Sequence, residues 1–234
     1  PMGKDKNDTF DRWRDVATKE DIEAFQKAGF GVRCEFGEHP ALLVIDITNG
    51  YVDPKYPKGG GYYPTQAAKG VEKLLSVARR VKIPILYFRG KTKTALEAGA
   101  RVRKSSSVRD PLQVEGKDVN EWPAEIAPLP EEPIIEKTKS SVFFETPLRS
   151  MLTHLKVDTV ILAGLTTSGC IQAAALDAAS SNLRVIVPEE CVGDRAPTFH
   201  RYALFNIDMR YGDVMPLSDV EDSLTRLGNS AASV

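Results

Sequence analysis

Residues 41–46 read ALLVID, a compact apolar run closed by a carboxylate. Runs of this kind, with no polar alternation, suit strands covered on both faces, as in a parallel sheet. Similar runs recur at 83–89 (IPILYFR), 133–136 (PIIE), 158–163 (DTVILA) and 183–187 (LRVIV), with a weaker one at 213–215. Helical patterns fill the intervals at 65–82, 146–156, 168–181, 198–210 and 218–227. Strands alternating with helices of this length make βαβ units. The expected fold is therefore a three-layer α/β/α, Rossmann-like arrangement with a mostly parallel six-stranded sheet. A chain of 234 residues buries roughly 70–75% of its unfolded surface around one core, so residues 1–234 are read as a single domain.

Two segments fall outside this rhythm. Residues 8–28 carry apolar groups at helical intervals among many charges and are closed by Gly29 and Gly31, which predicts a helical arm. Residues 91–131 form a long insertion with the basic side chains Lys91, Lys93, Arg101, Arg103, Lys104 and Arg109. A loop of this length is a surface excursion, a substrate lid or a subunit contact. Trp13 and Trp122 are expected to anchor the arm and the insertion, with another subunit as one possible partner.

Composition removes several classes of function. The 31 Lys and Arg against 32 Asp and Glu leave a net charge of −1, which exerts no global pull on nucleic acid or anionic membrane. The hydrophobic fraction of 42% is too high for a disordered chain. The first residues, PMGKDKND, are polar and show no leader pattern, and the least polar stretch, 159–179, is broken by glycines, hydroxyls and Asp177. A cytoplasmic protein acting on a small molecule is expected. Three scattered cysteines, Cys34, Cys170 and Cys191, are too few for a disulfide framework, so at least one thiol should be free. His39, His154 and His200 each stand alone, so no metal site is expected.

In an open parallel sheet, ligands bind beyond the carboxyl ends of the strands, near the switch in strand order. Asp46 ends the first strand, Lys137 follows the PIIE strand, and Cys170 comes just after the polar turn that leaves the DTVILAG strand. Taken singly, each has an ordinary structural explanation: a turn cap, an exposed charge, a small packed thiol. Three strands that deliver an acid, a base and a thiol to one edge point instead to a reactive site. Cys170 should also lie in the first turn of a helix starting near Ser168, where the dipole and unpaired N–H groups would acidify its thiol.

The segments ALLVID, EKTKSSVFFET (136–146), VDTVILAGLTTSGCIQAAALDA (157–178) and ECVGDRAPTFHRYALFNIDMRYGDV (190–214) resemble the isochorismatase-like cysteine hydrolases. The similarity runs over roughly 30–217 and is strongest toward the branch containing N-carbamoylsarcosine amidohydrolase and maleamate amidohydrolase. It implies an Asp–Lys–Cys triad carried by Asp46, Lys137 and Cys170. The family motif places the lysine four residues before the serine of Ser141-Val142-Phe143, which selects Lys137 over Lys139. The resemblance also implies a cis bond at Leu165–Thr166, which would turn the main-chain N–H groups of Thr166 and Cys170 toward an oxyanion.

The activity so implied is hydrolysis of the C–N bond of a small carboxylate-bearing amide or N-carbamoyl amino acid, with ammonia released through a thioester. Maleamate hydrolysis to maleate and ammonia is the alternative, and a non-catalytic ligand-binding relative is the rival from another class. No metal or organic cofactor is implied. The His pair of the nicotinamidase branch has no counterpart in VDPKYPKGGGYY, which begins at Val52. Arg195 is expected to pair with a substrate carboxylate, with an internal pair to Asp194 as the competing reading. Tyr51 and Thr167 are expected to wall the pocket, and His200 to stabilise the helix after the GDRA turn. The resemblance further implies a homo-oligomer, a tetramer or a dimer.

Overall fold

Strand β1, Pro40–Ile45, is buried along its whole length, and its side chains divide between two cores. Leu43 and Ile45 join one apolar cluster, while Leu42 and Val44 join the other. A strand alternates its side chains between faces, so an unbroken apolar run is what a sheet with two covered faces requires. The computed structural model describes residues 10–91, 94–99 and 119–231. It is an α/β fold with a seven-stranded sheet in the order β3–β2–β1–β4–β5–β7, and every strand pair is parallel.

The remaining strands are β2 (Ile85–Gly90), β3 (Ile134–Lys137), β4 (Thr159–Leu165), β5 (Arg184–Pro188), β6 (Val192–Gly193) and β7 (Asp213–Met215). The helices are α1 (Lys19–Lys27), α2 (Asn49–Val52), α3 (Tyr62–Val81), α4 (Ala95–Ala98), α5 (Leu148–His154), α6 (Gln172–Ser180), α7 (Pro197–Arg210) and α8 (Leu217–Ala231). Helices α5, α6 and α7 cover one face of the sheet, and α3 and α8 cover the other. Among the described residues, no helix is long and apolar enough to cross a membrane.

The sheet has one strand more than expected. After β5 the chain makes a tight turn at Glu189–Cys191 and returns as β6, which pairs with β4 only at Gly164↔Val192 and Leu165↔Gly193. Two residues carry no periodicity, so the sequence pattern could not reveal this strand. Its effect is to bring the segment after Val192 beside the carboxyl end of β4. The strand order changes direction between β1 and β4, and Gly164 makes that junction possible. It has φ +120°, and a Cβ there would fall on the Ile45 carbonyl oxygen.

The arm is not one continuous helix: turns at 12–16 separate the helical residues 10–11 from α1. Thr18 and Asp21 form a reciprocal capping box at the start of α1, with Asp21 N–H donating to the Thr18 hydroxyl at 3.2 Å and Thr18 N–H donating to the Asp21 carboxylate at 3.0 Å. Trp13 anchors the arm within its own chain. It is fully buried in the first core cluster, and its indole N–H donates to Asp208 at 2.9 Å. Trp122 also packs intramolecularly, edge-on to Tyr87.

The final part of the insertion is folded rather than loose. Residues 119–131 lie over the start of α2, where Asn49 N–H donates to Glu121 O and Gly50 N–H to Val119 O, and Ile126 is fully buried. Of the six basic residues noted there, Lys91 pairs with Glu136 at 2.7 Å. Lys93, Arg101, Arg103, Lys104 and Arg109 lie outside the described residues.

Candidate active site

Asp46 does not end β1 but turns off it, with φ +50°. This left-handed conformation is uncommon for a residue with a side chain and occurs most readily at Asp and Asn. Lys137 is the last residue of β3, two strands away across β2. Cys170 lies in a single π-helical turn, Thr167–Ile171, ahead of α6. Ile171 N–H closes this turn on Thr166 O at 3.2 Å.

The long side chain of Lys137 spans the strand between it and Asp46. Its Nζ donates to Asp46 Oδ2 at 2.6 Å, to Lys139 O at 3.1 Å and to Cys170 Sγ at 3.4 Å. An ammonium has three N–H donors, and here all three are engaged. Lys137 and Asp46 are 4% and 3% exposed, so this is a buried ion pair in contact with a sulfur. Burial pulls the Lys137 pKa down, but the Asp46 carboxylate and the Cys170 sulfur outweigh it, and the net shift is upward. The lysine is therefore a fixed cation.

The thiol corrects the expectation of acidification. Burial and the neighbouring Asp46 carboxylate push the Cys170 thiol up to about 12, against the smaller opposing pull of Lys137. Cys170 sits inside the π-helical turn rather than at an open helix N-terminus, and it meets an anion as well as a cation. Burial and Asp46 thus disfavour the thiolate form of Cys170. Asp46 Oδ1 is buried and has no hydrogen-bond partner among the described residues.

The Leu165–Thr166 peptide is cis. Thr167 is fully buried, and its hydroxyl meets His200 Nδ1 at 2.8 Å, so that oxygen is engaged with the ring rather than with the pocket. His200 is buried on Tyr63, with ring centroids 4.4 Å apart, and its pKa falls to about 4 mainly because burial disfavours the charged ring. Tyr51 lies on α2 just beyond Asp46, partly buried against the second core cluster. Arg195 is exposed, and among the described residues no ion pair joins its guanidinium to Asp194.

Asp194 is instead committed elsewhere. Oδ2 accepts from both the N–H and the hydroxyl of Ser168, and Oδ1 accepts from Arg195 N–H. Reading the sequence treated Asp194 only as a rival partner for Arg195 and missed this role. Its place in the quoted GDRA turn was the one available signal. Lys139 has a structural task of its own, donating to Glu97 O at 2.6 Å.

Cys191 is buried in the second core cluster, and Cys34 is partly buried with its sulfur toward Val185 O. Two surface hollows of about 750 and about 450 Å³ lie away from Asp46, Lys137 and Cys170, one beside Leu129 and Leu155 and the other beside Val16 and Tyr202. Among the described residues, no three His, Cys, Asp or Glu side chains gather to hold a metal ion.

This arrangement of sheet and site has clear relatives. The isochorismatase domain family matches residues 40–219. Maleamate amidohydrolase of Pseudomonas putida is 38% identical over 203 residues, covering 85% of this chain and 92% of that protein. N-carbamoylsarcosine amidase of Arthrobacter is 28% identical over 207 residues, covering 87% and 78% respectively. Among solved structures, a cysteine hydrolase from Pseudomonas syringae superposes with a TM-score of 0.76 at 21% identity, over 84% of this chain and 97% of that one. The N-carbamoylsarcosine amidase of Thermoplasma acidophilum gives 0.61 at 27% identity, over 76% and 96%. The chain belongs to the isochorismatase family.

Proposed function

We propose that the chain is a cysteine amidohydrolase that cleaves the C–N bond of a small carboxylate-bearing amide. The observation that carries this reading is the Lys137 ammonium held between Asp46 Oδ2 and Cys170 Sγ. A neutral thiol is a poor nucleophile, so it must lose its proton as it attacks. Asp46 is the adjacent base, and its unpartnered Oδ1 has room to accept that proton. Lys137 then stabilises the thiolate. Sulfur bonds to the amide carbon, and the main-chain N–H groups of Thr166 and Cys170 receive the oxyanion. The C–N bond breaks as Asp46 returns the proton to the leaving nitrogen. Ammonia departs, and water, deprotonated by Asp46, hydrolyses the thioester and restores the thiol.

Arg195, exposed on the GDRA turn, is assigned to the substrate carboxylate, which a guanidinium binds through two parallel hydrogen bonds. The higher identity to the maleamate enzyme, 38% against 28%, favours an unsaturated half-amide over an N-carbamoyl amino acid as the first substrate to assay. Ammonia release from maleamate, N-carbamoylsarcosine and neutral amides is the direct test. Cys170→Ala should lower turnover by at least about 10³-fold. Full turnover by that variant would overturn the nucleophile assignment.

A further inference from the structure

We propose that Asp194 is a positioning residue that locks the nucleophile turn to the loop carrying Arg195, with His200 as a second anchor. The inference rests on the reading of Arg195 as the carboxylate-binding residue. Three attachments connect the 192–200 segment to the chain leading to Cys170. The first is the β6 pairing at Gly164↔Val192 and Leu165↔Gly193. The second is Asp194, buried, whose Oδ2 accepts from Ser168 N–H at 2.8 Å and from Ser168 Oγ at 2.7 Å. The third is the 2.8 Å contact between the Thr167 hydroxyl and His200 Nδ1.

The two oxygens of Asp194 face in different directions of the chain. One holds the residue two positions before the nucleophile, and the other holds Arg195 N–H at 2.8 Å. A single buried carboxylate therefore sets how far the sulfur stands from the start of the Arg195 side chain. That separation decides which spacing between a substrate's carboxylate and its amide carbon is accepted. Neither Asp194 nor His200 donates to or accepts from Asp46, Lys137 or Cys170, so both act through other residues.

The decisive variant is Asp194→Asn, which keeps size but turns one oxygen into an NH2 donor, so that either the Ser168 N–H or the Arg195 N–H loses its acceptor. It should lower kcat/KM on the best carboxylate amide by tenfold or more and flatten the preference across a series of half-amides of increasing chain length. Arg195→Ala should cost much less in this background than in the wild type, because Arg195 is no longer held in register. The rate of Cys170 alkylation by iodoacetamide at pH 9, read by mass spectrometry, should shift at least threefold while Cys34 stays unchanged.

A folded Asp194→Asn variant with kcat/KM, chain-length preference and alkylation all within twofold of wild type would overturn the proposal. If Asp194→Asn does not fold, His200→Ala against His200→Asn decides it. The asparagine oxygen replaces Nδ1 and should restore the thiol reactivity that alanine loses, and equal behaviour of the two would reject the clamp. A wild-type chain that hydrolyses no amide would sink the proposed function, whereas the alkylation comparison would still judge the clamp.

Discussion

Asp46 and Asp208 are both buried aspartates, 3% and 4% exposed, and both lie beside a cation, yet they are built for opposite ends. Asp208 has both oxygens engaged. Its Oδ1 accepts from Arg33 at 2.7 Å and from Val214 N–H at 2.8 Å, and its Oδ2 accepts from Trp13 at 2.9 Å. Asp46 has Lys137 on Oδ2 and, among the described residues, no hydrogen-bond partner on Oδ1, and its cation is shared with a sulfur. Burial pushes the Asp208 pKa upward, and its donors resist that shift. A carboxylate with both oxygens engaged holds the arm and β7 together. One with an open oxygen beside a thiol is placed, in the proposed reaction, to take and return a proton.

The largest effect expected from this contrast is at Asp46. Asp46→Asn should reduce amide turnover by about 10²–10⁴-fold, the range for loss of a positioned acid–base group. The same substitution removes a charge that raises the thiol pKa while leaving Lys137 beside the sulfur. Alkylation of Cys170 at pH 8 should therefore accelerate even as turnover collapses. Slower alkylation together with near-normal turnover would erase the distinction drawn between the two aspartates.

Asp208→Ala should do the reverse, and urea unfolding is the measurement. Loss of this carboxylate strands the buried donors of Trp13 and Val214, at about 1–3 kcal/mol each, while the part-exposed Arg33 turns to water. The variant protein that stays folded should keep its kcat. A selective loss of kcat with unchanged stability would show that the arm serves the chemistry.

A smaller effect follows from His200, whose pKa is about 4 against an ordinary 6.5. Below pH 6.5 the unfolded chain binds this proton more tightly than the folded one. The stabilisation is therefore complete above about pH 6.5 and is lost as the pH falls toward 4. It amounts to at most about 3 kcal/mol, and a His200→Asn variant should lack that part of the acid profile in thermal melts. The smallest effect belongs to the exposed pair Arg14–Asp11, at 2.8 Å. Asp11→Ala should change stability by less than about 1 kcal/mol, and added salt should shrink the difference further.

Much of the scaffold was legible in local pattern. The runs at 41–46, 83–89, 133–136, 158–163, 183–187 and 213–215 coincide with six of the seven strands to within two residues, because a strand covered on both faces must be apolar along its length. Strand β6 was not legible, since a two-residue strand is defined only by its neighbour. The helical pattern at 168–181 proved to be a π-helical turn followed by α6, a change of winding that apolar spacing does not reveal. Trp13 was read as an anchor, but its partner Asp208 lies 195 positions away, beyond the reach of any local pattern.

The sequence by itself determined the order of strands and helices, the three residues that reach the carboxyl edge of the sheet, and the kinship of the motifs around Lys137 and Cys170. The first two follow from periodicity and spacing, which are properties of neighbours along the chain, and the third from the resemblance of the quoted segments to the family. Only the tertiary structure decided that Lys137 crosses β2 to reach Asp46, that burial and Asp46 push the Cys170 thiol pKa up, and that Asp194 binds the 167–171 turn rather than the Arg195 guanidinium. Protonation and partnership depend on burial and on charges brought close in space, and folding, rather than the linear chain, creates both.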